Sequence, residues 1–187
     1  MKKGKLFIIS GASGVGKSTV LNKIMKLYPD LRFSVSVTTR APRNGEVDGV
    51  DYDFITMETF EQMVKDGAFV EYDLHMDCGY GTPRAQLEEK MLNAGVILDI
   101  EPNGAFNVRK EYTDATLIFI APPSFEELER RLRSRGDTSE EQIVKRLTRA
   151  KWEIEQSVHY DHVVVNDEVD TCMNKIIEII TKKLEEN

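Results

Sequence analysis

The chain has 187 residues, 41% of them hydrophobic and 30% charged, with a net charge of −7. That length suits one domain, the composition excludes disordered and fibrous classes, and the negative balance argues against nucleic acid or an anionic membrane as partner. The two cysteines, Cys78 and Cys172, are too few and too far apart for a disulfide framework. His75, His159 and His162 lack zinc-site spacing, and Cys78 reads as a free thiol in a loop. No apolar run approaches the ~20 residues of a spanning helix. The basic start, Met1-Lys2-Lys3-Gly4-Lys5, is followed only by the short apolar run Leu6 to Ile9, which is too little for a signal peptide. The chain therefore reads as cytoplasmic.

In chain order, Lys5 to Ser10 predicts a buried strand and Ser18 to Leu27 a helix that stops before Pro29. Ser34 to Leu74 differs in character. It is rich in Thr, Val, Tyr and Phe, and its turn signals Arg43-Asn44-Gly45 and Val47-Asp48-Gly49 lie close together. This predicts a small, mostly antiparallel sheet inserted after the first helix. A helix follows Thr56 and stops at Gly67, and another is predicted from Pro83, as its first residue, to Gly95. Strands at Val96 to Ile100, Ala115 to Ile120 and His162 to Asn166 then alternate with helices. Those helices cover Ala105 to Glu111, Phe125 to Arg135, Glu140 to Ser157 and Val169 to Leu184. Ser124 with Glu127 and Ser139 with Gln142 have capping-box spacing, and Gly136 follows an arginine-rich last turn. Such alternation implies βαβ units and a parallel sheet with helices on both faces.

One segment carries strong chemistry. Gly11-Ala12-Ser13-Gly14-Val15-Gly16-Lys17-Ser18-Thr19 fits G-x-x-x-x-G-K-[ST] between a predicted strand and a predicted helix. The glycines allow positive φ, so that successive N–H groups form an anion nest backed by the positive end of a helix. Lys17 can reach β- and γ-phosphates, and the Ser18 hydroxyl can ligate Mg²⁺. A P-loop alone does not name the acceptor, because GTPases, ATPases and kinases all use it.

Further motifs are spread along the chain: Ser34-Val35-Ser36-Val37-Thr38-Thr39-Arg40-Ala41-Pro42-Arg43, then Gly45-Glu46 and Asp51-Tyr52, then Phe69-Val70-Glu71-Tyr72 and Tyr80-Gly81-Thr82-Pro83-Arg84. After them come Leu98-Asp99-Ile100-Glu101, Phe119-Ile120-Ala121-Pro122-Pro123-Ser124, Arg131 to Gly136, and Val164-Val165-Asn166-Asp167. Together with the P-loop, this set resembles the guanylate kinase family over nearly the whole chain. The resemblance implies an α/β fold built on a P-loop NTPase core, with a parallel sheet flanked by helices (residues 1–33, 88–132 and 150–187). To this it adds an inserted mixed-sheet nucleoside-monophosphate-binding region (34–87) and a helical lid (133–149). The implied reaction is ATP plus GMP giving ADP plus GDP, with dGMP also accepted and Mg²⁺ as cofactor, in purine nucleotide metabolism. The expected protein is a cytoplasmic enzyme without nucleic acid or membrane partners, its oligomeric state left open by the sequence with a monomer favoured.

Site roles follow from the same resemblance. Gly11, Ala12, Ser13, Gly14, Val15, Gly16, Lys17, Ser18 and Thr19 would bind ATP, with Asn166 and Asp167 at its adenine. Arg40 and Arg43 would hold the GMP phosphate through guanidinium forks, joined by Tyr52 and Tyr80. Glu71, an acceptor, suits guanine's N1–H and 2-amino donors, and Ser36, Thr82 and Glu101 complete the contacts to the base. Asp99 would border GMP and, with Ser18, organise the metal, mostly through ATP and water. Arg131, Arg135 and Arg146 would bring positive charge to the transferring phosphates, and Arg135 would also bind ATP. The sequence departs from the family pattern in several places: Gly79-Tyr80 replaces paired tyrosines, Glu101 stands where Asp is commoner, and Asn103 replaces a frequent glutamine. The stretch from Gly95 to Asp99 is one residue short. A scaffold domain that binds phosphopeptides is the contrasting class, but such domains tend to have a damaged P-loop, and here the loop is intact.

Overall fold

The computed structural model describes residues 4–75, 77–92, 94–134 and 139–186, with the backbone alone for His75. Five parallel strands form the main sheet: β1 (Leu6–Gly11), β2 (Arg32–Phe33), β7 (Val96–Asp99), β8 (Thr116–Ala121) and β9 (His162–Val165), in the order β2-β7-β1-β8-β9. Alternation along the central strands sends side chains to opposite faces. Phe7, Ile9, Ile97, Ile118 and Ile120 point one way. There they meet Val20, Leu21 and Ile24 of α1 (Lys17–Leu27) and Cys172, Met173, Ile176 and Ile180 of α7 (Val169–Glu185). Leu128 and Leu132 of α5 (Phe125–Ser134) and Ala150 of α6 (Glu140–Glu155) close the same layer.

Leu6, Ile8, Val96, Leu98, Leu117 and Phe119 point the other way. They pack on Leu87 and Met91 at α3 (Arg84–Lys90), on Ala105 and Val108 of α4 (Pro102–Glu111), and on Tyr160. Because both faces are covered, these strands read as continuous apolar runs.

The second sheet has the order β4-β3-β6-β5, from β3 (Val37–Thr38), β4 (Asp53–Phe54), β5 (Phe69–His75) and β6 (Cys78–Pro83). β3 and β4 are parallel, while β6 runs antiparallel to both β3 and β5, so the sheet is mixed. Its own small core is Val37, Phe60 and Phe69, supplied in part by α2 (Met57–Lys65). Thr56 caps that helix by accepting from Thr59 N–H, and Gly67 (φ 64°) takes the left-handed conformation beyond its end.

Several boundaries differ from the sequence expectation. Pro83 is not the first residue of a helix. It ends β6 and occupies the N-cap of α3, which stops at Lys90 and not at Gly95. The Met91 carbonyl at that end accepts the Gly4 N–H, a long-range contact that periodicity does not encode. α4 begins at Pro102, before the apolar period at Ala105, because proline suits the first helical turn. α6 ends at Glu155 and tightens into a 3₁₀ turn over Gln156–His159. Cys78 is the first, half-buried residue of β6, not a loop residue. Arg135 and Gly136 lie outside the described residues. Ser124 and Ser139 do cap their helices, accepting from Glu127 N–H at 3.1 Å and Gln142 N–H at 3.4 Å. The Glu127 carboxylate, however, turns to Arg130 and Arg131.

Candidate active site

The P-loop leaves the carboxyl end of β1, where open α/β sheets bind their ligands. Gly14 (φ 85°) and Gly16 (φ 91°) supply the left-handed turns. Gly16 is the N-cap of α1 without a side-chain cap, and no acidic residue lies in the first turn, so the amino end of α1 presents its N–H groups. Ser18 and Thr19 are exposed on that turn. Lys17 forms an ion pair with Asp99, at the end of the adjacent β7. Loss of solvent lowers the Lys17 amine to about 8, opposed by the charges of Glu101 and Glu153.

Beside the loop, Gly14, Val15, Gly16, Thr19, Arg131, Ser134, Asn166, Asp167 and Val169 line a cleft of about 280 Å³. Asn166, the residue after β9, donates from Nδ2 to the Val15 carbonyl at 2.7 Å, and its buried Oδ1 has no hydrogen-bond partner among the described residues. Arg131 spans from Glu127 to the carbonyls of Asn166 (2.8 Å) and Asp167 (3.2 Å). Arg146, also predicted for the donor side, is not among the described residues that line this cleft. Arg135 lies outside the described residues, and Arg146 is half-buried on α6 without a hydrogen bond or ion pair to a described residue.

The second sheet carries the other half of the site. Arg40, just after β3, forks onto Glu46 at 2.6 and 2.7 Å, and its guanidinium stands 5.1 Å from the Tyr52 ring centroid and 5.8 Å from that of Phe54. The Tyr52 and Tyr80 rings meet edge-on at 6.2 Å. Arg43 is exposed, and its N–H donates to Glu46 at 2.7 Å. The fork holds Glu46 well below the usual carboxylate range, to about 2, and raises Arg40. Sequence reasoning missed Glu46 as a partner. The signal was present, since Gly45 (φ 89°) closes the turn that brings Glu46 back to Arg40.

Register explains the next pair. Glu71 lies directly across from Thr82 on β6, whose hydroxyl donates to Glu71 Oε1 at 2.7 Å. Burial pushes the Glu71 carboxyl up to about 7, against the Thr82 bond. Its Oε2 rests on the first turn of α4, where a Cβ at Gly104 would come within 2.6 Å of it. Glycine at 104 is thus what leaves room for this carboxylate, a role the sequence reading missed. Ser36 borders the same sheet, its carbonyl accepting Asp53 N–H at 3.0 Å. Glu101, expected to face the base, forms an ion pair with Arg149 while lying near enough to Glu71 to raise its pKa.

The sequence profile of guanylate kinase matches residues 3–183. The chain belongs to the guanylate kinase family. It is 48% identical over 180 residues to the guanylate kinase of Oceanobacillus iheyensis, covering 96% of this chain and 87% of that one. It is 47% identical over 181 residues to a guanylate kinase of Thermus thermophilus, covering 96% and 81%. The crystal structure of guanylate kinase from Anaplasma phagocytophilum superposes with a TM-score of 0.82 at 33% identity, over 99% of this chain and 88% of that one. As a guanylate kinase family member the protein is a phosphotransferase, with the ATP-binding P-loop of that family. The departures at Gly79 and Glu101 sit differently in the structure. A Cβ at Gly79 would come within 2.7 Å of the Phe60 ring, so α2 packs where a side chain would stand. The longer Glu101 reaches Arg149. Among the described residues, no helix is long and apolar enough to cross a membrane.

Proposed function

We propose that the protein transfers the γ-phosphoryl group of ATP to GMP, and to dGMP, as a cytoplasmic monomer in purine nucleotide metabolism, without nucleic acid or membrane partners. The observation that carries this reading is the pairing of two unlike clefts. One is an intact P-loop with Lys17 against Asp99. The other is an arginine–tyrosine cluster beside the directly paired Glu71 and Thr82. ATP occupies the first, with Asn166 and Asp167 near the adenine and Arg131, Arg135 and Arg146 serving the phosphates. GMP occupies the second, its phosphate on Arg40, Arg43, Tyr52 and Tyr80 and its base on Glu71, Thr82, Ser36 and Glu101. No protein nucleophile is needed, because positioning and charge stabilisation carry phosphoryl transfer.

Mg²⁺ fits the oxygen donors available, the exposed Ser18 hydroxyl and the Asp99 carboxylate. Bound there with ATP, it would neutralise charge on the phosphates. Residues 34–87 form the acceptor-binding insert and 133–149 the lid, with 1–33, 88–132 and 150–187 as core.

Arg40→Lys tests the assignment of the two clefts. A point charge cannot reproduce the fork or its stacking on Tyr52. The KM for GMP should rise roughly tenfold or more, by the loss of about 1.5–3 kcal/mol of charge-assisted bonding, while the affinity for ATP alone stays within about twofold. If titration shows ATP affinity falling as much as GMP affinity, the clefts are assigned the wrong way round.

A further inference from the structure

Glu153 is a carboxylate in a place where a helix would ordinarily put an apolar side chain. It shares the buried side of α6 with Ile143 and Ala150, and the residue is only 3% exposed. Its Oε2 accepts the Ser13 N–H at 2.7 Å, and its Oε1 accepts Arg149 Nε at 3.1 Å. The far end of the same guanidinium pairs with Glu101 at the entry to α4. One buried carboxylate therefore joins three pieces: the shoulder of the P-loop, the helix α6, and the corner between β7 and α4. Burial pushes the Glu153 carboxyl above its ordinary pKa, while the bonds from Ser13 and Arg149 pull it down. An interior charge is costly unless its bonds are made, so leucine here would be the simpler packing choice.

The consequence lies in the loop. Ser13 immediately precedes the two left-handed glycines, Gly14 and Gly16, whose backbones have no side chain of their own to restrict them. Tying the Ser13 N–H to a buried acceptor fixes the Ala12–Ser13 peptide plane, and with it the direction of the turn that follows.

We propose that Glu153 is a positioning residue for phosphoryl transfer, holding the P-loop in register through Ser13 and orienting Arg149 between the donor and acceptor sides. This rests on the phosphoryl-transfer reading above. Glu153 does not touch the reacting atoms and acts through the loop and through Arg149.

Glu153→Gln is the direct test. Both groups facing the carboxylate are donors, and a glutamine offers one acceptor and one donor end. Whichever way the amide turns, one of the two links becomes donor against donor. The measurement is kcat per folded molecule with ATP and GMP, alongside thermal melts, for wild type, Glu153→Gln, Arg149→Ala and the double variant. A displacement of about 1 Å at reacting groups costs on the order of 10² in rate. The expectation is a kcat loss of roughly tenfold or more in Glu153→Gln, with the double variant less impaired than the product of the two single losses. A purely structural role would lower the melting temperature and leave kcat per folded molecule unchanged. A kcat loss of less than about threefold, or losses that simply multiply, overturns the inference. Should the glutamine variant not fold, Glu153→Asp, which withdraws the charge by one methylene, is judged by the same threshold. Absence of GMP turnover by wild type sinks the underlying reading instead, so the two failures are distinguishable.

Discussion

Lys17→Met is expected to yield a folded protein whose turnover is reduced by about 10²–10³. The side chain emerges from the first turn of α1 and sets its ammonium against Asp99, between the loop and the end of β7. In the proposed reaction negative charge on the transferring phosphates would develop there, and the ammonium is the charged group that the loop itself supplies. Desolvation, only partly offset by the flanking charges of Glu101 and Glu153, lowers its pKa to about 8, so most of it remains charged at neutral pH. Methionine keeps the length and flexibility of the chain while removing the charge. Asp99, left without its partner, has a side chain 28% exposed and can recover solvent, so the fold should survive. Circular dichroism and a melt establish folding, and a coupled assay with ATP and GMP reads the loss. A variant retaining most of its turnover would sink the P-loop assignment.

Glu71→Gln should lower kcat/KM for GMP by about ten- to a hundred-and-fifty-fold, equivalent to about 1.5–3 kcal/mol of charge-assisted bonding. Guanine presents two donors, N1–H and the 2-amino group, to which an ionised carboxylate is the matching partner. Adenine presents an acceptor at N1, which the carboxylate repels and the neutral amide tolerates. The GMP/AMP ratio should therefore narrow in the variant. Glu71 also gives a pH signature. Burial raises its carboxyl to about 7, so below that pH the free enzyme holds it protonated and less suited to guanine. Wild-type kcat/KM for GMP should thus rise with pH through about 7, and the glutamine variant should lack that component. Titration of the GMP phosphate is common to both enzymes and cancels in their ratio. An unchanged GMP/AMP ratio would mean that Glu71 does not read the base.

What could be read from the sequence divides along a physical line. The P-loop is local: glycines of positive φ, a lysine and a helix start are contiguous, so motif and geometry coincide. Four of the five parallel strands were legible as short apolar runs, the central ones because both faces of their sheet are covered, whereas β2, two residues with an arginine and an incompletely buried phenylalanine, offers no such run. The Glu71–Thr82 pair rested on resemblance alone, since the register that places them opposite one another depends on where the β5–β6 hairpin turns. Glu46, Gly104 and Glu153 went unread for a related reason. Each acts through a neighbour brought in by tertiary packing: Glu46 by the turn at Gly45, Gly104 by docking of α4 under β5, and Glu153 by α6 lying against the loop. A glutamate on the buried stripe of a helix, four residues after an arginine, was the one sequence signal for the last of these. The helix expected from Pro83 to Gly95 was overextended because its end is set by Gly4 bonding to Met91, far away in the chain.

The most direct test of GMP phosphorylation is one coupled assay that offers AMP, GMP, CMP, UMP and IMP in turn with ATP and Mg²⁺. GMP should give the highest kcat/KM. IMP, which keeps N1–H but lacks the 2-amino donor, should be intermediate, and AMP should fall lower by on the order of 10⁴, because its edge leaves a buried polar group mismatched. Turnover of AMP, CMP or UMP equal to or above that of GMP, or none with GMP, would contradict the assignment of the acceptor site.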